Sequence, residues 1–214
     1  MNFIPFFRFS LLMAMILPAL CSAQKIAKEG DLLFLDLDCG DLCDAIEAVT
    51  EGAGGKDYSH LGMLILHNDS LHVLEAIGNA VQLSGLSRFL SYTSKPALHA
   101  RLKPEFQPLI PTAIAKGKSC LGKPYDDAFL SNNEKYYCSE LIYEAFKEAN
   151  KGKPFFKLDP MTFKKPGSEL FFPVWVEYYS NLGIPIPEGL PGCNPGGISR
   201  SEKLKILGYF NPTK

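Results

Sequence analysis

Apolar residues recur along this chain with two periods, and the switches between them mark the elements. The run Leu32-Leu33-Phe34-Leu35, set off by Gly30-Asp31, is short, unbroken and bounded by turn formers, which predicts a buried strand. Over residues 41–51 the apolar positions Leu42, Ala45, Ile46 and Val49 fall at i, i+3, i+4 and i+7. That spacing predicts a helix, with Asp41 as its N-cap and Gly52 as its stop. A glycine-rich loop at 52–55 follows. Two strand-like runs at 61–66 and 72–77 then flank Asn68-Asp69-Ser70 and read as a β-hairpin, and 98–102 is a further strand.

The second half opens with a helix after Pro111 that runs to about Leu121, where Gly122 and Pro124 end it. A loop over 123–137 leads to a stronger helix, because Leu141, Ile142, Ala145, Phe146 and Ala149 trace one stripe and Gly152-Lys153-Pro154 stops it. Cys138 falls in its first turn. Beyond Pro154 proline and glycine are dense; a hydrophobic segment at 171–179 and a loop at 185–197 are the main features, and strands are expected to return there.

The N-terminus belongs to a different kind of element. Arg8 precedes an apolar run from Phe9 to Leu20 and then Cys21-Ser22-Ala23, which reads as a secretory signal peptide over residues 1–23, cut before Gln24. An apolar core of roughly a dozen residues is short for a membrane span. Lipid attachment at Cys21 is the competing reading, disfavoured by the bulk of Leu20 just before it. Residues 24–214 are then expected to form one secreted or periplasmic domain with no stable transmembrane anchor, since no repeat or Gly/Ser linker divides them. The 22 Lys and Arg against 23 Asp and Glu leave no basic footprint for nucleic acid.

Removing Cys21 from the six cysteines leaves Cys39, Cys43, Cys120, Cys138 and Cys193, an odd number, so at least one is unpaired within the chain. Metal binding is disfavoured by the absence of a C-x-x-C pair and by the distance of the four histidines. Cys39 and Cys43 lie four apart at a helix start, where a capping turn is expected to leave their side chains badly oriented for a bridge. No disulfide is expected at Cys138.

A cysteine at a helix N-terminus meets the positive end of the macrodipole and unpaired backbone N–H groups, which favours thiolate. Cys138 is thus the leading nucleophile, against the alternative of a small buried packing residue. His60 opens a strand after the polar Lys56-Asp57-Tyr58-Ser59 and is a candidate base. Glu75 puts a carboxylate inside an apolar strand, where burial demands a partner that a histidine on the neighbouring strand would supply. Nucleophile, base and orienting acid are what covalent acyl transfer requires. His67, His72 and His99 are read as structural, and Asp57 and Asp69 as solvated loop charges.

Glu29-Gly30-Asp31-Leu32-Leu33-Phe34, Tyr58-Ser59-His60-Leu61-Gly62-Met63, Leu74-Glu75-Ala76 and Tyr136-Tyr137-Cys138-Ser139-Glu140-Leu141, taken in that order, resemble the circularly permuted papain-like amidases of the YiiX type, within the NlpC and lecithin-retinol-acyltransferase group. The resemblance spans nearly all of residues 24–214. It implies an α+β papain-like fold of permuted topology, with a small antiparallel sheet or barrel packed against the nucleophile helix. It further implies Cys138 as nucleophile, His60 as base and Glu75 as third polar residue. Tyr125, in Leu121-Gly122-Lys123-Pro124-Tyr125, is similar in placement to the tyrosine such enzymes hold near the oxyanion, or is a packing aromatic. Tyr137-Cys138-Ser139-Glu140 departs from the Asp-Cys-Ser-Gly usual in NlpC peptidases, which weakens the case for their peptidoglycan specificity; Glu140 is explained by the helix N-terminus alone.

The expected activity is hydrolysis of an amide, or an ester, through a thioester, with no cofactor. A cell-wall peptide and an acyl or lipid-type amide are both open as substrate, the aromatics Phe155, Phe156, Phe163, Phe171, Phe172 and Trp175 lining a site or filling the core. An acyltransferase acting on a lipid substrate and a non-catalytic secreted binding domain of the same fold are the alternatives.

Overall fold

The computed structural model describes residues 27–210; the segment over 1–23 expected to be a signal peptide, with Cys21, lies outside them. The architecture is α+β. Six antiparallel strands form one open sheet in the order 80–85, 70–77, 60–67, 32–35, 97–102 and 204–210, so the first strand, β1 (Leu32–Leu35), lies inside the sheet. This explains its unbroken apolar run. Leu32 and Phe34 enter the main core, Leu33 and Leu35 a second core on the opposite face, and all four are buried.

β2 (His60–His67) and β3 (Ser70–Ile77) form the expected hairpin. Its two turn residues, Asn68 and Asp69, both have positive φ, 48° and 58°, the geometry a two-residue turn between twisted strands needs. β4 (Ala80–Gly85) pairs with β3 and runs directly into a short helix, α2 (Leu86–Leu90). Neither element is evident in the sequence, because Ala-Val-Gln-Leu-Ser-Gly alternates too briefly and α2 is a single turn. β5 (Ala97–Leu102) and β8 (Leu204–Phe210) complete the sheet.

Alternation along β2 decides what each face holds. Leu61, Met63 and Ile65 pack with α3 (Ile110–Ser119) and α4 (Cys138–Ala149) in the main core. His60, Gly62 and Leu64 therefore face the α2 side, with Val73 and Glu75 of β3. Gly62 has a packing reason: a Cβ there would lie 2.3 Å from a Val73 methyl and 3.0 Å from the Leu74 carbonyl oxygen.

Several boundaries differ from expectation. α1 (Asp41–Glu47) has Gly40, not Asp41, as its N-cap, and Asp41 sits in the first turn. The helix stops before Gly52 because Val49 N–H and Thr50 N–H bond three residues back and the Thr50 hydroxyl takes the Ile46 carbonyl at 2.7 Å. Cys39 and Cys43 are joined in a disulfide, against the expectation that the turn would misorient them. Gly40, at φ 72°, reverses the chain between them and brings the two Cα atoms to 5.3 Å. The segment around 171–179 is helical: α5 (Pro173–Leu182) starts on a proline and buries Trp175 and Tyr179, one turn apart. Strands do return, as the two-residue β6 (Asp159–Pro160) and β7 (Pro191–Gly192) and as β8; a short α6 (Pro195–Ser199) precedes β8.

Candidate active site

Cys138 is the first residue of α4 and is buried, with a free thiol, as are Cys120 and Cys193. Tyr137 is the N-cap in an extended conformation and offers no side-chain cap, so the first N–H groups of α4 have no intrahelical acceptor. The Cys138 Sγ lies 4.0 Å from the Ser59 carbonyl oxygen, where the chain enters β2, and its thiol flanks the His60 ring.

His60 is 3% exposed and Glu75 fully buried, and His60 Nε2 meets Glu75 Oε2 at 2.6 Å. This leaves Nδ1 as the nitrogen free toward the thiol. Burial pulls the His60 pKa down, but the adjacent Cys138 and Glu75 side chains outweigh it and raise it to about 9. For Glu75 burial works upward, yet the bonds from His60 and Tyr92, with the Ser84 hydroxyl close by, hold the carboxyl below its ordinary range. Its second oxygen, Oε1, accepts from the Tyr92 hydroxyl at 2.9 Å.

Tyr125 is half-buried, its phenol pKa pushed up by burial and by Cys138 nearby. Both line a cavity of about 370 Å³. Ser59, Phe129 and Tyr137 stand beside them; Ile46, Val49, Phe163 and Trp175 give an apolar wall; Lys157, Asp159 and Arg200 lie at polar positions of the lining. Lys157 pairs with Asp159, and Arg200 with Glu51 at 3.5 Å. The aromatics thus divide by position: Phe155 and Phe156 belong to the main core, Phe155 stacked on Phe146 and Phe156 edge-on to it, whereas Phe163 and Trp175 reach the cavity.

The remaining histidines are apart from this site. His67 and His72 sit on the exposed end of the hairpin, and His99 is buried against Asp31 at 2.7 Å. Glu140, at the third helical position, is buried with one carboxyl oxygen unpartnered; burial, then Asp126 and Glu144, raise its pKa to about 8 although it reaches the Tyr137 backbone N–H. Sequence reasoning missed Tyr92 and Ser84, which support Glu75, and Cys193, which lines the cavity. Tyr92 carries no local signal, since its role depends on a strand and helix that the pattern does not reveal.

A helix that starts on a cysteine, packed on an antiparallel sheet whose strand offers a histidine, is the arrangement of the papain-like class, here with the strand ahead of the helix in the chain. The chain belongs to the permuted papain-like amidase enzymes of the YaeF/YiiX, C92 family, whose profile matches residues 26–208. It is 31% identical to the uncharacterized protein YiiX of Escherichia coli strain K12 over 144 residues, 63% of this chain and 66% of the relative, just under two thirds of its length. The crystal structure of YiiX from Escherichia coli O157:H7, described as a metalloprotein, superimposes with a TM-score of 0.69 at 24% identity, over 86% of this chain and 98% of that one.

Proposed function

We propose that this chain is a secreted cysteine amidase that cleaves the amide of an apolar acyl group, with Cys138 as nucleophile, His60 as base, Glu75 as the acid that orients it and Tyr125 at the oxyanion. The observation that carries this reading is the 2.6 Å His60–Glu75 pair beside a free helix-terminal thiol at the wall of an apolar cavity. His60 takes the thiol proton, giving a thiolate and an imidazolium braced by Glu75. The thiolate attacks the carbonyl carbon, and the oxyanion is received by the Cys138 N–H and the Tyr125 hydroxyl. His60 then hands its proton to the leaving amine as the C–N bond breaks. Water, deprotonated by His60, attacks the thioester carbonyl; the C–S bond breaks, the acyl acid leaves, and the expelled thiolate takes the proton back from His60.

The wall formed by Ile46, Val49, Phe163 and Trp175 favours an acyl chain or apolar side chain on the carbonyl side of the scissile bond. The Cys39–Cys43 disulfide supports an oxidising compartment and hence secretion. Among the described residues no helix is long and apolar enough to cross a membrane. The relative's description as a metalloprotein finds no matching donor set here: among the described residues no group of three or more His, Cys, Asp or Glu side chains is arranged to hold a metal ion, and His60 Nε2 is committed to Glu75.

The test is a panel of N-acyl amino acids of increasing chain length beside cell-wall peptides, followed by mass spectrometry of products, with the wild type, Cys138→Ser and His60→Ala. Release of the acyl acid by the wild type, at least about a hundredfold slower in both variants, is expected. Turnover of the peptides alone would move the substrate to the cell wall. Turnover that survives Cys138→Ser would remove the thiol mechanism.

A further inference from the structure

Glu75 is held by more than its histidine. Tyr92, two residues past α2, donates its hydroxyl proton to Glu75 Oε1 at 2.9 Å, on the side of the carboxylate away from His60. A phenol has one proton to give, so the 3.2 Å contact between Ser84 Oγ and the Tyr92 oxygen has Ser84 as donor. Gln82 Nε2 in turn donates to Ser84 Oγ at 3.1 Å. The result is a chain of donors, amide to hydroxyl to phenol to carboxylate, all polarised toward Glu75 and ending on the His60 ring. Packing fixes it in place: Phe89 of α2 lies 5.6 Å from the His60 ring centre and 5.8 Å from that of Tyr92.

We propose that Tyr92 is a positioning residue of the active site, which keeps Glu75 ionised and correctly turned in a fully buried setting and so holds His60 ready to take and keep the Cys138 proton. The inference rests on the catalytic reading above. A buried carboxylate with one oxygen unbonded would pay the full desolvation penalty of that oxygen, and the simplest escape is protonation, which would withdraw the negative charge behind His60. Tyr92 removes that escape. The groups around the carboxylate are few: His60 from β2, Ser84 from β4, Tyr92 beyond α2, Cys138 from α4 across the ring, and Arg88 of α2, whose charge acts on Tyr92.

The experiment is the pH dependence of iodoacetamide alkylation at Cys138, located by peptide mass spectrometry, in the wild type, His60→Ala, Tyr92→Phe and Ser84→Ala, with a thermal melt of each. Tyr92→Phe keeps the ring and loses only the donor. The expected result is an acid limb moved up by about one pH unit, hence roughly tenfold slower labelling near pH 5, with a smaller shift of the same sign in Ser84→Ala. A role confined to structure would lower the melting temperature and leave the limb where it was. Superimposable profiles for wild type and Tyr92→Phe would overturn the proposal while leaving the thiol–imidazole site intact; should Tyr92→Phe not fold, an unmoved Ser84→Ala profile would do the same. If wild type and His60→Ala label alike, the catalytic reading falls, and this inference with it.

Discussion

His60 and His99 show how little a residue's immediate partner decides. Both are buried, and both place Nε2 on a carboxylate, at 2.6 Å and 2.7 Å. Asp31, however, is also gripped by Arg101 through Nε at 2.6 Å and Nη2 at 2.8 Å, and the His99 ring packs on Phe210, 4.8 Å between centres. That cluster is balanced and closed. His60 instead has a thiol on its other side and a cavity beyond, so its proton has somewhere to go. The difference makes Glu75→Gln informative. Loss of the charge lets the His60 pKa fall from about 9 toward its ordinary value of 6.5. Acyl-amide turnover is expected to drop by about a hundredfold or more, with the alkaline limb of its pH profile moved down by more than one unit. A rate profile unchanged by the substitution would mean that Glu75 does not set the base.

Among the elements, α1 is the one whose role in the site depends on a covalent tie. It carries Ile46 of the cavity wall and leads into Val49, yet it is two turns long, capped by a glycine and without a side-chain capping bond. Short helices of this kind are marginal unless packing or a cross-link holds them. The Cys39–Cys43 bridge closes a loop of only a few residues, and the chain-entropy argument then gives about 2 kcal/mol. Reduction with dithiothreitol is expected to lower the melting temperature by roughly 4–8 °C, and a Cys39→Ser/Cys43→Ser variant to show the same loss with no further response to reductant. Equal melting temperatures before and after reduction would show that packing against α5 alone secures the helix.

At the scale of the molecule, the buried titratable groups set which pH the fold prefers. Burial raises the Glu140 pKa from 4.5 to about 8 and that of Glu47 to about 7, and His60 is raised from 6.5 to about 9 by Cys138 and Glu75 against the effect of burial. Each binds its proton more tightly in the folded chain. Their contribution is therefore complete below the unfolded values and is lost as pH rises through the folded ones. Asp31 and Glu75 are lowered, so their contribution is present above the unfolded carboxylate range and is lost on acidification through their depressed values. Stability is expected to be greatest at about pH 4.5 to 5, where the lowered carboxyls are already ionised and the raised ones have only begun to lose their contribution, and to decline steadily toward pH 9. Thermal melts across that range check this, and Glu140→Gln should flatten part of the alkaline decline. A melting temperature that climbs from pH 6 to 9 would contradict it.

The sequence by itself determined the parts whose cause is local. The periods of 3.6 and 2 marked α4, the β2–β3 hairpin and the buried run of β1, because each must present an apolar stripe or face to a core. The cysteine at the head of α4, the histidine at the head of β2 and the carboxylate inside β3 stood out because each breaks or terminates such a pattern. Tertiary structure alone decided the rest. Which face of β2 His60 occupies follows from strand register, and the turn that Gly40 makes between Cys39 and Cys43 depends on a backbone angle that spacing does not reveal. Tyr92 reaches Glu75 only because β4 pairs with β3 and α2 folds back over them, a conjunction of long-range contacts with no periodic trace. The cavity is of the same kind. Its walls come from α1, the α4 terminus, α5 and the segment around Cys193, and a shape assembled from distant pieces of chain is a property of their packing.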